Sequence, residues 1–192
     1  MKIKMELRSD VIFGNGVSVP GGEDISVLCD EYGFPYYKGS TLKGIFREEL
    51  IRLLVWKGLA KTKEEAESQV TVLLGKSGED CFKEERKLIF SDFHLSDQVK
   101  NRILEEIGTD NKQEVLNCFT HLRTFTSISE DGLAKDGTLR IGRCVNKGIC
   151  FFSELICDEK DQDLVKEVLR LIKWVGTMRN RGFGKVCLSV ID

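Results

Sequence analysis

Long apolar runs are missing from this chain of 192 residues. No stretch approaches the roughly 20 consecutive apolar residues that a membrane-spanning helix needs, which excludes a helical membrane protein. The first residues, Met-Lys-Ile-Lys-Met-Glu-Leu-Arg, alternate charged and apolar side chains. That alternation is typical of a β-strand and not of a secretory signal, so we expect a cytoplasmic protein with no membrane partner.

Histidine is scarce, and cysteine lacks a metal-binding spacing. The two histidines, His94 and His121, belong to no obvious pair of nucleophile and base, which favours packing roles over acid–base catalysis. The seven cysteines are odd in number, and no two have the Cys-x-x-Cys spacing. This argues against the common zinc and redox motifs, so we expect reduced thiols and no structural metal.

The chain also lacks an excess of positive charge, since its formal net charge is −2. The charges are nevertheless unevenly distributed. Residues 32–47 and 171–191 carry lysines and arginines but no acid, and residues 132–148 carry four basic side chains against one acid. Residues 154–167 hold six acidic side chains against two basic ones. A nucleic-acid-binding protein needs a basic surface and not a basic total, although chance clustering on solvated faces explains any single segment.

The order of apolar patterns predicts two β-α-β units separated by an insertion. Strands are predicted at residues 3–7 (continuing through 11 and 13), 87–93, 149–156 and 186–190. Helices are predicted after the N-cap residues Ser40 and Asp161, and within residues 62–75 and 95–118. One apolar face of the last helix is predicted to consist of Leu164, Val168, Leu171, Ile172 and Val175.

Residues 120–143 alternate loosely and contain two turn signals, Asp131-Gly132 and Asp136-Gly137. They predict an extended hairpin or a protruding loop. The fold class is therefore α+β, a ferredoxin-like (RRM-like) βαββαβ domain with a helical insertion and a protruding hairpin. We expect one domain over residues 1–192, with insertions at about 57–86 and 95–143.

The start of the first predicted helix has the chemistry of an anion site. Backbone N–H groups at a helix N-terminus attract anions, and Ser40 and Thr41 add hydroxyl donors. Lys43 and Arg47 are four residues apart, so both project from one face of the helix. These residues predict a phosphate clamp, although many ordinary helices begin in the same way.

A glycine-rich segment at residues 176–184 joins the last helix to the last strand. Gly182 and Gly184 allow the backbone to approach a ligand closely, and Arg179 and Arg181 supply charge for phosphate. The segment is not a dinucleotide-binding fingerprint, because it lies between a helix and a strand and not after the first strand. The alternative interpretation is a glycine C-cap followed by a tight turn.

Several segments, in this order along the chain, resemble motifs of the RAMP superfamily of CRISPR-associated proteins. They are Lys38-Gly-Ser-Thr-Leu-Lys-Gly44 with Arg47, Leu88-Ile-Phe-Ser-Asp92, the thumb-like segment from Thr124 to Arg140, the strand that begins at Gly148, and Arg179-Asn-Arg-Gly-Phe-Gly184. Lys38 stands where the family usually has proline. The resemblance is strongest to the subtype-D-like backbone subunits of type III effector complexes.

This resemblance implies partners and RNA contacts. The partners would be CRISPR RNA, target RNA and the other subunits of a type III effector complex. The implied RNA-binding residues are Lys38, Ser40, Thr41, Lys43, Arg47, Thr126, Lys135, Arg140, Arg179, Arg181, Gly182, Gly184 and Lys185.

The resemblance also implies a catalytic residue in the loop after the first strand. Asp24 falls where cleaving members carry the aspartate that cuts target RNA, and Asp30 matches a second, non-catalytic aspartate. A carboxylate beside a scissile phosphate can hold a divalent metal, Mg or Mn, which stabilises developing charge. The alternative is that Asp24 is a solvated turn residue beside Gly21 and Gly22.

Three other functions remain open at this point. A non-catalytic capping or adaptor subunit would keep the RNA-binding loops without cleavage. A CRISPR RNA-processing endoribonuclease of the same superfamily usually carries two ferredoxin-like domains and lacks the Gly-Ser-Thr-Leu-Lys-Gly helix start. A generic RRM-like module would need an aromatic pair on its central strands, which this sequence lacks.

Overall fold

A computed structural model describes residues 1–18, 22–76 and 88–191. Its strands are β1 (Lys2–Leu7), β2 (Ile89–Phe90), β3 (Thr120–Phe125), β4 (Arg140–Val145), β5 (Cys150–Ile156) and β6 (Val186–Ile191). Its α-helices are α1 (Gly39–Trp56), α2 (Lys63–Leu74), α3 (Asp97–Ile107), α4 (Lys112–Phe119) and α5 (Gln162–Leu171), and two short 3₁₀ turns cover Glu159–Asp161 and Arg179–Arg181.

The main sheet has the strand order β2-β5-β1-β6, and every neighbouring pair is antiparallel. Met5 on the central strand β1 lies opposite Phe151 of β5 and Leu188 of β6. With α1 and α5 as the two crossover helices, this order is that of the ferredoxin-like fold. The predicted fold class is confirmed.

One face of this sheet forms the core because its strands alternate. Ile3, Met5 and Leu7 are buried, whereas the intervening residues of β1 are charged and lie on the opposite face. Helix α1 covers the apolar face with a buried stripe that includes Leu42, Phe46, Leu50 and Leu53. The period of about two along the strand and of about 3.6 along the helix produces this layer.

Strands β3 and β4 form a separate two-stranded ribbon, which is the predicted hairpin. Their pairing runs from Thr120 opposite Val145 to Phe125 opposite Arg140. Beyond it, residues 126–139 form a turn region whose apolar side chains Ile128, Leu133 and Leu139 are 65–70% exposed. The predicted helices at 62–75 and 95–118 correspond to α2 and to α3 with α4.

The predicted N-cap of α1 is wrong, whereas the predicted N-cap of α5 is right in position. Helix α1 begins at Gly39, so Lys38, not Ser40, occupies the N-cap position, and the Lys38 side chain makes no capping hydrogen bond. Instead the Gly39 N–H donates to Asp92 Oδ1 at 2.8 Å. A Cβ on Gly39 would lie 2.4 Å from the Ser91 carbonyl oxygen, so the close approach of residues 91–92 requires glycine there. Asp161 precedes α5 but likewise makes no capping hydrogen bond.

The predicted apolar face of α5 needs correction as well. Leu171 is exposed, while Val165 and Leu169 are buried in its place. The helix ends at Leu171, and Ile172 is already extended, so Ile172 and Val175 reach the core from a segment outside the helical period. The strand predicted at 87–93 is regular only at Ile89–Phe90, and its residue 87 lies outside the described residues, as do residues 77–86 of the predicted insertion.

Within the described ranges, no helix combines the length and the apolar character needed to cross a membrane.

Candidate nucleic-acid interface

The glycine-rich loop, residues 176–184, is held tightly at both ends. Gly176 and Gly184 have φ angles of 75° and 82°, in the left-handed region that favours glycine. A Cβ on Gly176 would lie 2.6 Å from the Ile12 carbonyl oxygen, and one on Gly184 would lie 1.9 Å from the Val175 carbonyl oxygen. The absence of a side chain at Gly184 therefore serves chain packing, and not the ligand approach that the sequence suggested.

The middle of the glycine-rich loop presents both arginines to solvent. Arg179 and Arg181 are exposed and begin and end a single 3₁₀ turn. Gly182 follows with a φ of 86°, and the position of its missing Cβ has no heavy atom within 4 Å. The backbone at Gly182 is thus open to a ligand, as the sequence predicted.

A cavity between the loop and the ribbon gathers three of the predicted RNA contacts. It measures about 230 Å³, and Thr126, Arg140 and Arg181 all line it. The Thr126 Oγ1 lies 3.1 Å from the Thr138 Oγ1, which fixes the base of the ribbon's turn region. We call this space the ribbon cavity. It lies between two segments that are far apart in sequence and is lined by two arginines and a threonine.

A second cavity, the helix cavity, lies between the same loop and the start of α1. It measures about 210 Å³ and brings together Thr41, Tyr37 and Arg179. The buried Tyr37 hydroxyl has no hydrogen-bond partner in the described part of the chain. Burial raises the pKa of Tyr37 to about 12, against the opposing effects of the Gly176 backbone and the Arg179 charge. Arg179 and Arg181 therefore face different cavities from one turn.

Arg47 does not form the predicted clamp with Lys43. Its guanidinium donates a hydrogen bond to the carbonyl oxygen of Gly75, the C-cap of α2. Burial between the two helices lowers the pKa of Arg47 from its usual value. The side chain thus connects α1 to α2. Helix α2 belongs to the insertion, and the spacing of Lys43 and Arg47 along α1 gives no sign of this contact.

Replacing Arg47 by alanine is expected to lower the free energy of unfolding by about 1–3 kcal/mol, because a charged donor to the α2 carbonyl is lost. RNA affinity should stay unchanged. Denaturant melts and a filter-binding titration measure the two quantities, and Arg52→Ala, a 69% exposed arginine on the same helix, is the matched control. Loss of affinity without loss of stability in Arg47→Ala would restore the clamp.

The other predicted contacts lie on the surface. Lys38, Ser40, Lys135, Arg140 and Lys185 are exposed, and Lys43 is half-buried. Lys135 belongs to the turn region of the ribbon, where its N–H donates to the Ser127 carbonyl oxygen at 2.9 Å.

Asp24 lies beside the ribbon and is exposed. Its Oδ2 accepts a hydrogen bond from the Ile141 N–H at 2.7 Å, and its own N–H donates to the Ile141 carbonyl oxygen at 2.8 Å. Ile25 continues this contact as a parallel bridge to Gly142. The predicted catalytic carboxylate is therefore fixed at the first residues of β4, with one oxygen already engaged.

The side chain of Arg143 also fixes this segment, a role that no sequence pattern indicated. The side chain is 6% exposed, and its Nε and Nη2 lie 2.6 and 2.5 Å from Glu23 Oε1. Its Nη1 donates to Asn117 Oδ1 at 2.8 Å and to Thr120 Oγ1 at 2.9 Å. Arg143 counted only as one charge of a basic surface in the sequence, whereas the fold uses it as a buried anchor for residues 23–25.

The donors around Asp24 fit a metal ion only in part. No cluster of three or more His, Cys, Asp or Glu side chains suited to a metal occurs in the ranges that the structure covers. The nearest acid in sequence, Glu23, is engaged by Arg143. A preformed protein site does not fit, but one carboxylate suits Mg²⁺ or Mn²⁺ held mainly by water and RNA phosphate.

The carboxylate of Asp30 holds a turn and contacts α3. Its Oδ1 accepts hydrogen bonds from the N–H groups of Tyr32 and Phe34, at 3.1 and 2.9 Å, and closes the turn between them. Its Oδ2 lies 3.2 Å from Lys100 Nζ of α3.

A further polar cluster adjoins the glycine-rich loop, and no sequence pattern indicated it. Asp10 Oδ2 lies 3.5 Å from Arg123 Nη1 and 3.6 Å from His121 Nε2. The His121 Nδ1 is 2.5 Å from Asn146 Oδ1, so both ring nitrogens have neighbours within the protein. The His121 side chain is nevertheless 41% exposed.

Comparisons with solved structures find the same overall fold in two chains of known assemblies. A chain from the cryo-EM structure of type III-B Cmr-beta bound to cognate target RNA is similar, with a TM-score of 0.66 and 16% identity, covering 97% of this chain and 95% of that one. A chain from the apo state of type III-B Cmr-beta has a TM-score of 0.67 and 18% identity, covering 98% and 95%. No curated protein matches the chain.

The fold is thus ferredoxin-like and is shared with these two chains. The sequence profile of the RAMP superfamily matches residues 4–187, and the chain belongs to the RAMP superfamily. The family resemblance inferred from the motifs is confirmed.

Proposed function

We propose that this protein is an RNA-binding subunit of a type III CRISPR effector complex, occupying a backbone position along CRISPR RNA. The observation that carries the proposal is the ribbon cavity, where Thr126, Arg140 and Arg181 meet. Membership of the RAMP superfamily and the fold shared with Cmr-beta chains support it.

The chemistry of the two cavities suits a sugar–phosphate backbone. Guanidinium groups bind phosphate oxygens through two parallel N–H donors, and hydroxyl groups add further hydrogen bonds. Arg179 and Arg181 sit on one short turn but face separate cavities, so they offer phosphate contacts on both sides of the loop. Such contacts hold RNA without reading its sequence.

Replacing Arg179 and Arg181 together by alanine tests the proposal. The double variant should bind single-stranded RNA more weakly, and the slope of log affinity against log salt should fall by about 0.7 per lost phosphate contact. Filter binding over a series of salt concentrations measures both quantities. The matched control is Arg52→Ala with Arg102→Ala, since these arginines are 69% and 72% exposed, lie on other helices and remove the same charge.

Two results would count against the proposal. Unchanged affinity and slope in a folded Arg179/Arg181 variant would remove the loop from the RNA site. Equal losses in the Arg52/Arg102 control would mean that only the total charge matters.

Cleavage of target RNA is a second candidate function for the assembled complex. The observation that favours it is the fixed, exposed position of Asp24 at the ribbon, next to the first residue of the cavity-lining strand β4. A divalent metal held by Asp24 and RNA phosphate would neutralise charge that develops during cleavage. Asp24 itself would orient that site, and the Ile141 N–H would hold the carboxylate in place. A capping or adaptor subunit would keep the RNA contacts and lack this activity.

A further inference from the structure

The guanidinium of Arg123, on β3, lies over an aromatic side chain of the glycine-rich loop. Its guanidinium carbon lies 5.2 Å from the centroid of the Phe183 ring. Phe183 is 6% exposed and is supported in turn by the ring of Phe125, 5.6 Å away at an angle of 65°. A buried ring with a second ring behind it gives the guanidinium a rigid support.

One edge of the same guanidinium is held by Asp10, whose Oδ2 lies 3.5 Å from Nη1. Asp10 is itself fixed, because its Oδ1 accepts a hydrogen bond from the Lys147 N–H at 3.1 Å. The Asp10 carbonyl oxygen also accepts from the Gly184 N–H at 2.8 Å, which links this cluster to the glycine-rich loop. The Arg123 side chain nevertheless remains 50% exposed.

These contacts hold the guanidinium between an aromatic ring and a carboxylate, while half of the side-chain surface stays exposed. An arginine that only met phosphate would present its N–H edge, yet Asp10 already lies against part of that edge. The flat face of a guanidinium is a surface on which RNA bases stack. Stacking tolerates every base, since each has a π-face.

We propose that Arg123 is a stacking platform for an unpaired RNA base, supported by Phe183 and oriented by Asp10. The proposal rests on the RNA binding proposed above and adds a contact to a base, whereas the arginines of the glycine-rich loop contact phosphate. The link from Asp10 to Gly184 places the platform beside the loop, so one strand of RNA reaches both.

The test compares Arg123→Lys and Arg123→Ala in the full-length chain. The probes are a single-stranded RNA oligomer and an oligomer of equal length with abasic riboses, which has the same phosphates but no bases. Lysine keeps the charge and loses the plane, so affinity for normal RNA should fall on the order of tenfold in both variants. Affinity for the abasic oligomer should be the same in the wild type and in Arg123→Lys, and thermal melts confirm that both variants fold.

Each other outcome is decisive. If Arg123→Lys keeps the wild-type affinity and Arg123→Ala loses equally on both oligomers, Arg123 contacts phosphate through its charge and the platform is wrong. If Arg123→Lys binds normal RNA as the wild type does while Arg179/Arg181 variants are weakened, the proposed function stands and the platform falls. If the wild type binds neither oligomer, both fall. A loss confined to Arg123→Ala with a lowered melting temperature indicates packing only.

Discussion

Replacing Arg143 by alanine is expected to lower the free energy of unfolding by about 3–5 kcal/mol. The guanidinium is almost completely buried and donates to Glu23, Asn117 and Thr120. Its removal leaves the Glu23 carboxylate, 17% exposed, without its partner and takes one donor each from Asn117 and Thr120. Urea denaturation followed by circular dichroism measures the loss.

Three further variants show whether the Arg143 network is the cause. Arg140→Ala removes an exposed arginine from the same strand and should change stability by less than about 0.5 kcal/mol. Arg143→Lys keeps the charge but not the forked donors, so it should recover only part of the loss. Glu23→Gln combined with Arg143→Met should cost less than the two single changes added together. An Arg143→Ala protein as stable as the wild type would show that the network contributes nothing to folding.

The strands and helices of the main layer were predictable because their information is local. Apolar residues alternate along β1, at Ile3, Met5 and Leu7. They repeat at helical spacing along α1, at Leu42, Phe46 and Leu50. The sequence pattern of each element therefore predicts the face that it buries. The order of those elements then leaves few arrangements other than the ferredoxin-like one. The predicted apolar face of α5 was wrong in part because the helix ends at Leu171. Ile172 lies beyond the last helical residue, so helical spacing no longer describes its position.

The contacts that place the candidate site were not predictable, because they join residues that are distant in sequence. Asp92 caps α1 from 53 positions away, and Arg143 meets Glu23 across 120 positions. Arg47 was assigned to RNA because its spacing from Lys43 suits one helix face, but the fold supplies the Gly75 carbonyl instead. The sequence does not show which basic side chains will have partners within the folded protein. A count of basic residues therefore overestimates the number that are free to bind RNA.

Arg179 and Arg181 illustrate the opposite case, because the glycines around them indicate a loop of defined shape. The left-handed backbone at Gly176, Gly182 and Gly184 marks a loop of fixed shape. A loop of fixed shape with two arginines presents them in one geometry, whether or not RNA is bound. The sequence does not indicate that each arginine faces a different cavity, because the cavities form only in the folded chain.

Replacing Asp24 by asparagine is expected to abolish cleavage of guide-complementary RNA by the assembled complex while leaving target binding intact. Asparagine keeps the side-chain oxygen that accepts from the Ile141 N–H, so the segment should stay in place beside β4. It removes the negative charge that would hold a divalent metal, and such a group acts on the transition state with little effect on duplex binding. Asp24→Ala would lose the hydrogen bond too, so it confounds position with chemistry.

The measurement is a gel assay of labelled target RNA with the complex, because the guide duplex and the neighbouring subunits position the scissile phosphate. Asp131→Asn is the matched control, since it removes an exposed charge from the ribbon itself. Asp30 would be a poor control, because its carboxylate closes a turn and meets Lys100. Cleavage should stop in chelator and return with Mg²⁺ or Mn²⁺. Full cleavage by the Asp24→Asn complex would move the activity to another residue or subunit, and an inactive wild-type complex would make this protein a scaffold that holds RNA without cutting it.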